Sequence, residues 1–366
     1  MKRIENIFIA IFVLLNVELS FAQSQSFIVL GDLHYDKLEY HDFDWLKKEK
    51  PGDIRQIEGY TENVKNNWDD FMKHLQTMKN THEPEIKALL QLGDLSEGLA
   101  GDSKADFMAK GVIEAVDLSN IGVPWLVTKG NHDVTSGTPA KTAFVNNYIP
   151  LFQRQTGNNS IQMANYTYRS GDVEFFVCDY YERNNFDFVK WLDEQAKASD
   201  AKVKIALFHE PVIPVTERCW HMYKADNTNR ERLLKTIAEN KIIVLAAHLH
   251  RYSVVKRSTE WGPIVQIMCS SVISDRNTTE PKSMITQYGE SIAINVPSYE
   301  PATLEERKAM LKAEAPFVTF YKQCSLQGFG ILSVSEADYK VTLSYYGGLS
   351  CKPYDVMDIS ALMNGE

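Results

Sequence analysis

A layered α/β fold with two packed sheets is what this sequence predicts, on three observations. Five apolar, partly β-branched runs, at residues 27–30, 88–92, 125–128, 205–208 and 242–247, read as strands buried on both faces. Segments with helical spacing alternate with them up to residue 250, the pattern of helices covering a sheet. Beyond His250 the texture changes to short strand-like segments, which are expected to form a second sheet packed on the first.

The first strand, 27–30, leads into a long polar stretch, 35–60, rich in Asp, Lys and Glu and carrying Pro51-Gly52. Val64, Trp68, Phe71, Met72 and Leu75 then recur at helical spacing. Further helices are expected over 105–118, 142–152 and 186–196. Residues 166–177 hold two strand-like segments around Gly171-Asp172, a two-residue hairpin signal. Past His250, residues 252–255, 264–268, 317–321, 330–334 and 339–345 read as strands, with Ala337-Asp338 as a turn joining the last two. Residues 274–311 read as a long excursion, helical over 304–311. No repeat, low-complexity tract or linker divides the chain, so one domain is expected over 23–366, with insertions at about 35–60 and 274–313.

The chain has 366 residues, of which 44% are hydrophobic, ample for a core. A net charge of -9 and the absence of a Lys/Arg stripe weigh against nucleic acid or an anionic membrane as partner. At the N-terminus, Lys2 and Arg3, the apolar run 7–15 and Ser20-Phe21-Ala22 predict a signal peptide over 1–22, and hence export to the periplasm or the exterior. That run is shorter than the roughly 20 residues that span a bilayer. No other segment is long and apolar enough to do so, so no membrane span is expected after cleavage. Cys178, Cys219, Cys269, Cys324 and Cys351 show no CxxC spacing. Their odd number leaves at least one unpaired, and a Cys219–Cys324 bridge stays open. No pattern fixes the oligomeric state.

Polar residues come directly after each buried strand: Gly31-Asp32-Leu33-His34, Gly93-Asp94, Gly130-Asn131-His132-Asp133, His209, and Ala247-His248-Leu249-His250. Function in open α/β sheets gathers beyond the carboxyl ends of strands. The five pieces are therefore expected on one edge of one sheet. Asp32 and His34 flank a leucine, as do His248 and His250, so period-two alternation aims each pair one way. Carboxylate, imidazole and amide oxygen donors suit Mn, Fe or Zn. Singly, Asp94 reads as a turn cap and His209 as a structural histidine. Five recurrences in one context make the set a metal centre. His132 beside Asp133 reads as an acid whose tautomer and basicity a carboxylate tunes.

The ordered set D-x-H, G-D, G-N-H-D, H and A-H-x-H resembles the calcineurin-like metallophosphoesterase superfamily, over about residues 26–346. The resemblance implies a four-layer α/β/β/α sandwich, two packed mixed β-sheets flanked by helices. It implies two metal ions, one held by Asp32, His34, Asp94 and His250, the other by Asp94, Asn131, His209 and His248. It implies hydrolysis of a phosphate mono- or diester by a metal-bridging hydroxide, with Asn131 and His132 stabilising phosphoryl charge. His132 would be the general acid, with Asp133 behind it. Two departures stand out. Ala247 replaces the usual glycine, which predicts a slightly different backbone there. Glu97 stands where purple acid phosphatases carry a tyrosine ligand, which points away from that branch.

Residues 35–60, 211–227 and 274–313 could wall the site. Trp220, His221, Tyr223 and Arg251 are the candidate substrate contacts, with Arg218 and Lys224 beside them. The expected partner is a small-molecule phosphate ester. A nuclease or nucleotide phosphodiesterase of the same family is disfavoured by the acidic balance. A non-catalytic binding protein on this fold would be expected to have lost ligands or His132, and none is lost.

Overall fold

The computed structural model describes residues 24–181, 186–269, 283–296 and 299–364. The expected signal peptide lies outside them, as do residues 274–282 and 297–298 of the second insertion. The first half of the chain sets three strands in parallel, β1 (Gln25–Leu30), β2 (Ile86–Gln91) and β3 (Trp125–Val127). Next come the hairpin β4 (Tyr166–Ser170) and β5 (Val173–Val177), turning at Gly171-Asp172, and then β6 (Val203–Leu207) and β7 (Ile242–Ala246). The strands after His250 are β8 (Tyr252–Thr259), β9 (Gly262–Met268), β10 (Val318–Cys324), β11 (Gly328–Val334), β12 (Val341–Gly347) and β13 (Asp355–Asp358). The order across one sheet is β13-β12-β11-β1-β2-β3, and across the other β10-β8-β9-β7-β6-β5-β4. Both are mixed.

The late strands therefore do not form a sheet of their own. β8, β9 and β10 extend the second sheet, whereas β11, β12 and β13 return to the first beside β1. The reason is burial. β1 is buried along its whole length and cannot serve as an edge, so β11 pairs with its free side.

Helices cover both outer faces. α1 (Phe43–Glu49) lies in the first insertion, and α2 (Ile54–Thr81) begins there and runs on toward β2. α2 buries Ile57, Val64, Trp68, Phe71, Met72, Leu75 and Met78, one stripe at helical spacing. With α3 (Ala105–Ser119) and α4 (Thr138–Thr156) it joins the core of the first sheet. α5 (Phe188–Ala198), α6 (Asn227–Glu239) and α7 (Leu304–Glu314) lie on the second sheet, and α7 opens with a Thr303/Glu306 capping box. α8 (Ile359–Asn364) touches β9 and β12.

Alternation along β5 shows how the layers separate. Phe175 and Val177 face the core between the sheets, while Phe176 and Cys178 face the α5 and α6 side. Phe27 of β1 meets Phe175 edge-on at 4.8 Å, and Tyr252 of β8 stacks on Tyr345 of β12 at 3.9 Å. The four-layer sandwich is thus what the chain builds. All five cysteines are free thiols. Cys219 Sγ lies near the Thr216 and Arg307 carbonyls, so no bridge to Cys324 forms.

Phe175→Ala removes a ring from the seam between the sheets and is expected to cost about 3–5 kcal/mol, read by chemical denaturation. A loss under about 1 kcal/mol would mean that the sheets do not depend on this packing.

Candidate metal centre

The polar residues leave their strands by left-handed turns. Asp32 and His34 have φ of 46° and 45°, and His248 and His250 have 70° and 52°. Leu33 and Leu249 between them are buried. The expected alternation holds, but it comes from turns past the strand ends and not from extended strand. Asp94 also has φ of 52°, directly after Gly93 at 91°. Non-glycine residues in this region carry strain of about 1 kcal/mol or more each, which surrounding contacts must offset. Ala247 needs no positive φ, because His248 takes it. The alanine therefore does not alter the backbone in the way its missing glycine suggested.

The five pieces converge from two sheets, which corrects the expectation of a single sheet edge. Asp32, His34, Asp94 and Asn131 come after β1, β2 and β3 of the first sheet. His209, His248 and His250 come after β6 and β7 of the second. Bonds cross the seam. The His248 N–H donates to Asp32 Oδ1 and Oδ2 at 2.9 and 3.1 Å, and His209 Nδ1–H donates to the Leu92 carbonyl at 2.8 Å. Glycine is required for the approach. A Cβ on Gly31 would lie 2.5 Å from the Cys269 carbonyl oxygen.

Among the described residues three groups of donors result, with ligand atoms within 4.8 Å in each: Asp32, His34 and His250, and Asp94, His209 and His248, both drawn from the two sheets, and His34, Glu97 and His132, drawn from the first sheet alone. His34 Nε2 and His250 Nε2 lie 3.2 Å apart, and His209 Nε2 and His248 Nδ1 3.1 Å apart. Ligands on one ion with metal–nitrogen bonds of about 2.0–2.1 Å sit roughly 3.0–3.4 Å apart, so the spacing fits a metal. Asp94 Oδ2 is 3.1 Å from His209 Nε2 and 3.9 Å from His34 Nε2, between the first two groups. Asn131 Oδ1 is 3.1 Å from His209 Nε2. With Nδ1 committed to Leu92, His209 keeps Nε2 for a ligand.

The buried charges of this cluster shift one another. Burial works to lower the pKa of His34, but Glu97 and then Asp94 and Asp32 raise it to about 9. His209 is lifted against burial, chiefly by Asp94, to about 10. Burial pushes Asp32 up to about 7, with His209 opposing. Asp94 stays well below the usual carboxylate range despite burial, because His209 and His132 stand beside it. His248 and His250 are held neutral, first by burial and then by their charged partners His209 and His34.

His132 is partly exposed, and its Nδ1 meets the Glu97 carbonyl at 2.5 Å, leaving Nε2 free of that bond. Asp133 plays a different part from the one expected behind His132. Its carboxylate accepts from the N–H groups of Gly130, Asp94 and Ser96 at 2.9, 3.1 and 3.0 Å. It braces the backbone of two site loops. Glu97, noted in the sequence only as a departure, is fully buried. Its Oε2 lies 2.7 Å from His34 Nδ1, a charge contact not completed as a well-angled hydrogen bond, and 3.7 Å from His132 Nδ1. Gln56 donates to its other oxygen at 2.7 Å. Tyr60 stacks on His34 at 4.3 Å. No sequence signal marked Tyr60, which lies within the polar stretch.

Trp220, His221, Tyr223 and Lys224 share the wall of a cleft of about 640 Å³. The Trp220 ring lies 5.4 Å from that of His248. Tyr223 stacks on Phe188 at 6.1 Å, and burial with Arg230 pushes His221 down to about 4. Arg251 is outside that wall. It pairs with Glu217 at 2.7 Å and donates to the His250 carbonyl at 3.0 Å. Segment 211–226 is clasped by the second insertion through the Lys224–Glu300 ion pair and the Arg218–Tyr299 cation–π contact at 5.4 Å.

The family model for calcineurin-like phosphoesterases matches residues 26–252, the span that holds all five motifs. The chain belongs to this family. No curated protein matches it. Among solved structures it is similar to purple acid phosphatase PPD1 from yellow lupin (Lupinus luteus) seeds, at 12% identity and a TM-score of 0.50, covering 93% of this chain and 55% of that one. It is also similar to GAP50, the anchor in the inner membrane complex of Plasmodium, at 13% identity and a TM-score of 0.49, covering 92% of this chain and 88% of that one. The chain spans about half the length of the lupin protein. At such identity the likeness to the lupin protein extends to the fold alone, two mixed sheets flanked by helices.

Two outcomes are expected of this calcineurin-like phosphoesterase. Gly130→Ala removes no donor, but its Cβ would lie 2.1 Å from Asp94 Oδ1 and 2.2 Å from Asp94 N. Metal content by elemental analysis is expected to fall sharply, and full loading would show that Asp94 is not needed in its place. Metal must displace the protons of His34 and His209, raised to about 9 and about 10. Loading at pH 7.5 should therefore release protons into weakly buffered solution, and affinity should rise with pH, with titration calorimetry in buffers of differing ionisation heat as the measure.

Proposed function

We propose that this chain is an exported phosphoesterase with two metal ions, hydrolysing a small-molecule phosphate mono- or diester. The pair of donor groups carries the reading: each spans both sheets, and Asp94 lies between them. Asp32, His34, Asp94 and His250 would hold one ion, and Asp94, Asn131, His209 and His248 the other. Bound there, Mn, Fe or Zn ions would supply an activated water at neutral pH and positive charge for the phosphoryl oxygens.

The chain's own residues would do the rest. Asp94 would fix the spacing of the two groups. The Glu97 carbonyl holds the His132 ring by Nδ1, so Nε2 is the atom that would give a proton to the leaving oxygen. Asn131 and His132 would also steady charge on the phosphoryl oxygens. Asp133 keeps Gly130, Asp94 and Ser96 in register through their N–H groups. The basic start, apolar run and Ser20-Phe21-Ala22 support a signal peptide over 1–22 and a domain over 23–366.

The deciding experiment is metal analysis of the purified protein with a panel of phosphate esters under added Mn, Zn or Fe. Two ions per chain and turnover are expected, and at most one ion at saturation would sink the two-ion reading. Asp94→Ala should reduce metal content more than any other single ligand change. His132→Ala should keep its metals and lose about 10²–10⁴-fold in kcat on alkyl esters, but less on nitrophenyl phosphate, whose leaving group needs no proton. Equal losses on both would assign His132 to charge stabilisation alone.

A further inference from the structure

The cleft beside the metal centre has an unusual combination of walls. Trp220 joins it to the site through the ring of His248. Tyr180, Phe186, Phe188 and Tyr223 add aromatic surface. Glu210, directly after His209, lines it while only 5% exposed. Its Oε1 accepts the Tyr181 hydroxyl at 2.9 Å, and no cation among the described residues pairs with it. A buried carboxylate is costly unless compensated. Among the described residues that line the cleft, the one lysine, Lys224, is already paired with Glu300.

These features select by charge. A second phosphate or a carboxylate on the alcohol would face Glu210, and among the described residues that line the cleft the lysine is already paired. An ammonium group would find a carboxylate and aromatic faces, the two partners that attract cations most strongly in a partly dry site. The Lys224 ammonium, 3.3 Å from the centre of the Trp220 ring, shows that this wall accepts a cation.

We propose that the cleft is a leaving-group subsite for an alkylammonium alcohol, so that the substrate is a phosphate ester of the phosphocholine or phosphoethanolamine kind. It rests on the phosphoesterase reading above. In the reaction, a water oxygen joins phosphorus, the bond from phosphorus to the amino-alcohol oxygen breaks, and His132 returns a proton to that oxygen. The ammonium is unchanged and serves only to bind.

The test compares phosphocholine with its neutral isostere, 3,3-dimethylbutyl phosphate, on the metal-loaded protein, with nitrophenyl phosphate as reference. The ammonium also makes choline a better leaving group, so the deciding quantity is how the phosphocholine-to-isostere ratio of kcat/KM changes in Glu210→Gln. A fall of about threefold or more is expected, in line with loss of a charge contact and of its support to cation–π binding. Calorimetry of choline against 3,3-dimethylbutanol on the wild-type holoprotein gives a readout free of catalysis, and choline should bind about tenfold more tightly. An unchanged ratio together with equal binding of the two alcohols overturns the proposal, as does a nucleoside monophosphate outrunning phosphocholine with an advantage lost in Trp220→Ala. Glycerophosphocholine beside phosphocholine tells whether the ammonium arrives on a lipid-derived diester or on a free monoester. No hydrolysis of nitrophenyl phosphate with any metal would defeat the phosphoesterase reading itself, a result distinct from an unselective enzyme.

Discussion

The hydrogen bonds from the His248 backbone to the Asp32 carboxylate are what the rest of the site depends on. They tie the turn after β1 to the turn after β7, and thus one sheet to the other. A hydrogen bond to a charged group contributes about 1.5–3 kcal/mol, and a carboxylate as buried as Asp32 would be costly without it. With the sheets held at that distance, His209 reaches the Leu92 carbonyl and its outer nitrogen meets Asp94. Gly31 and Gly93 leave the space for that approach, since a Cβ at Gly93 would lie 2.5 Å from His209 Nδ1.

A second layer of polar contacts holds the first layer still. Glu97 stands between His34 and His132, and receives Gln56 from α2. Behind it, Asp36 binds His41 at 2.7 Å and Thr61 at 2.7 Å, and His41 Nδ1 meets the Leu99 carbonyl at 3.1 Å. The polar stretch after β1 is therefore folded onto the loop after β2 by a buried bracket. Partners of this kind set which ring nitrogen faces an ion.

Much of this was legible in the sequence because burial and chemistry coincide there. Runs such as 242–247 are short, apolar and β-branched, as buried strands are, and the residues just past a buried strand are presented at its end. That Asp32, His34, Asp94, Asn131, His209, His248 and His250 come together was readable for that reason. Their division between two sheets was not, because sheet membership depends on pairing between β1 and β11, residues some 300 apart in sequence. The left-handed turns at Asp32 and His248 escaped notice because nothing in a D-x-H or H-x-H pattern distinguishes a turn from a strand. The sequence reading missed α6 for another reason: its buried side is little more than Leu233, Leu234, Ile237 and Ala238 on an otherwise polar helix. Glu97 and Tyr60 act through contacts to His34 that exist only after the chain has closed.

The Asp32–His34–His250 and Asp94–His209–His248 groups each take members from both sheets. Neither half of the molecule can therefore assemble a full set while the other is absent or wrongly docked. His250 lies 218 residues after Asp32, so neither of these two groups is complete until β7 of the second sheet has been made. Closure of these two groups is thus itself a sign that the sheets have docked in register.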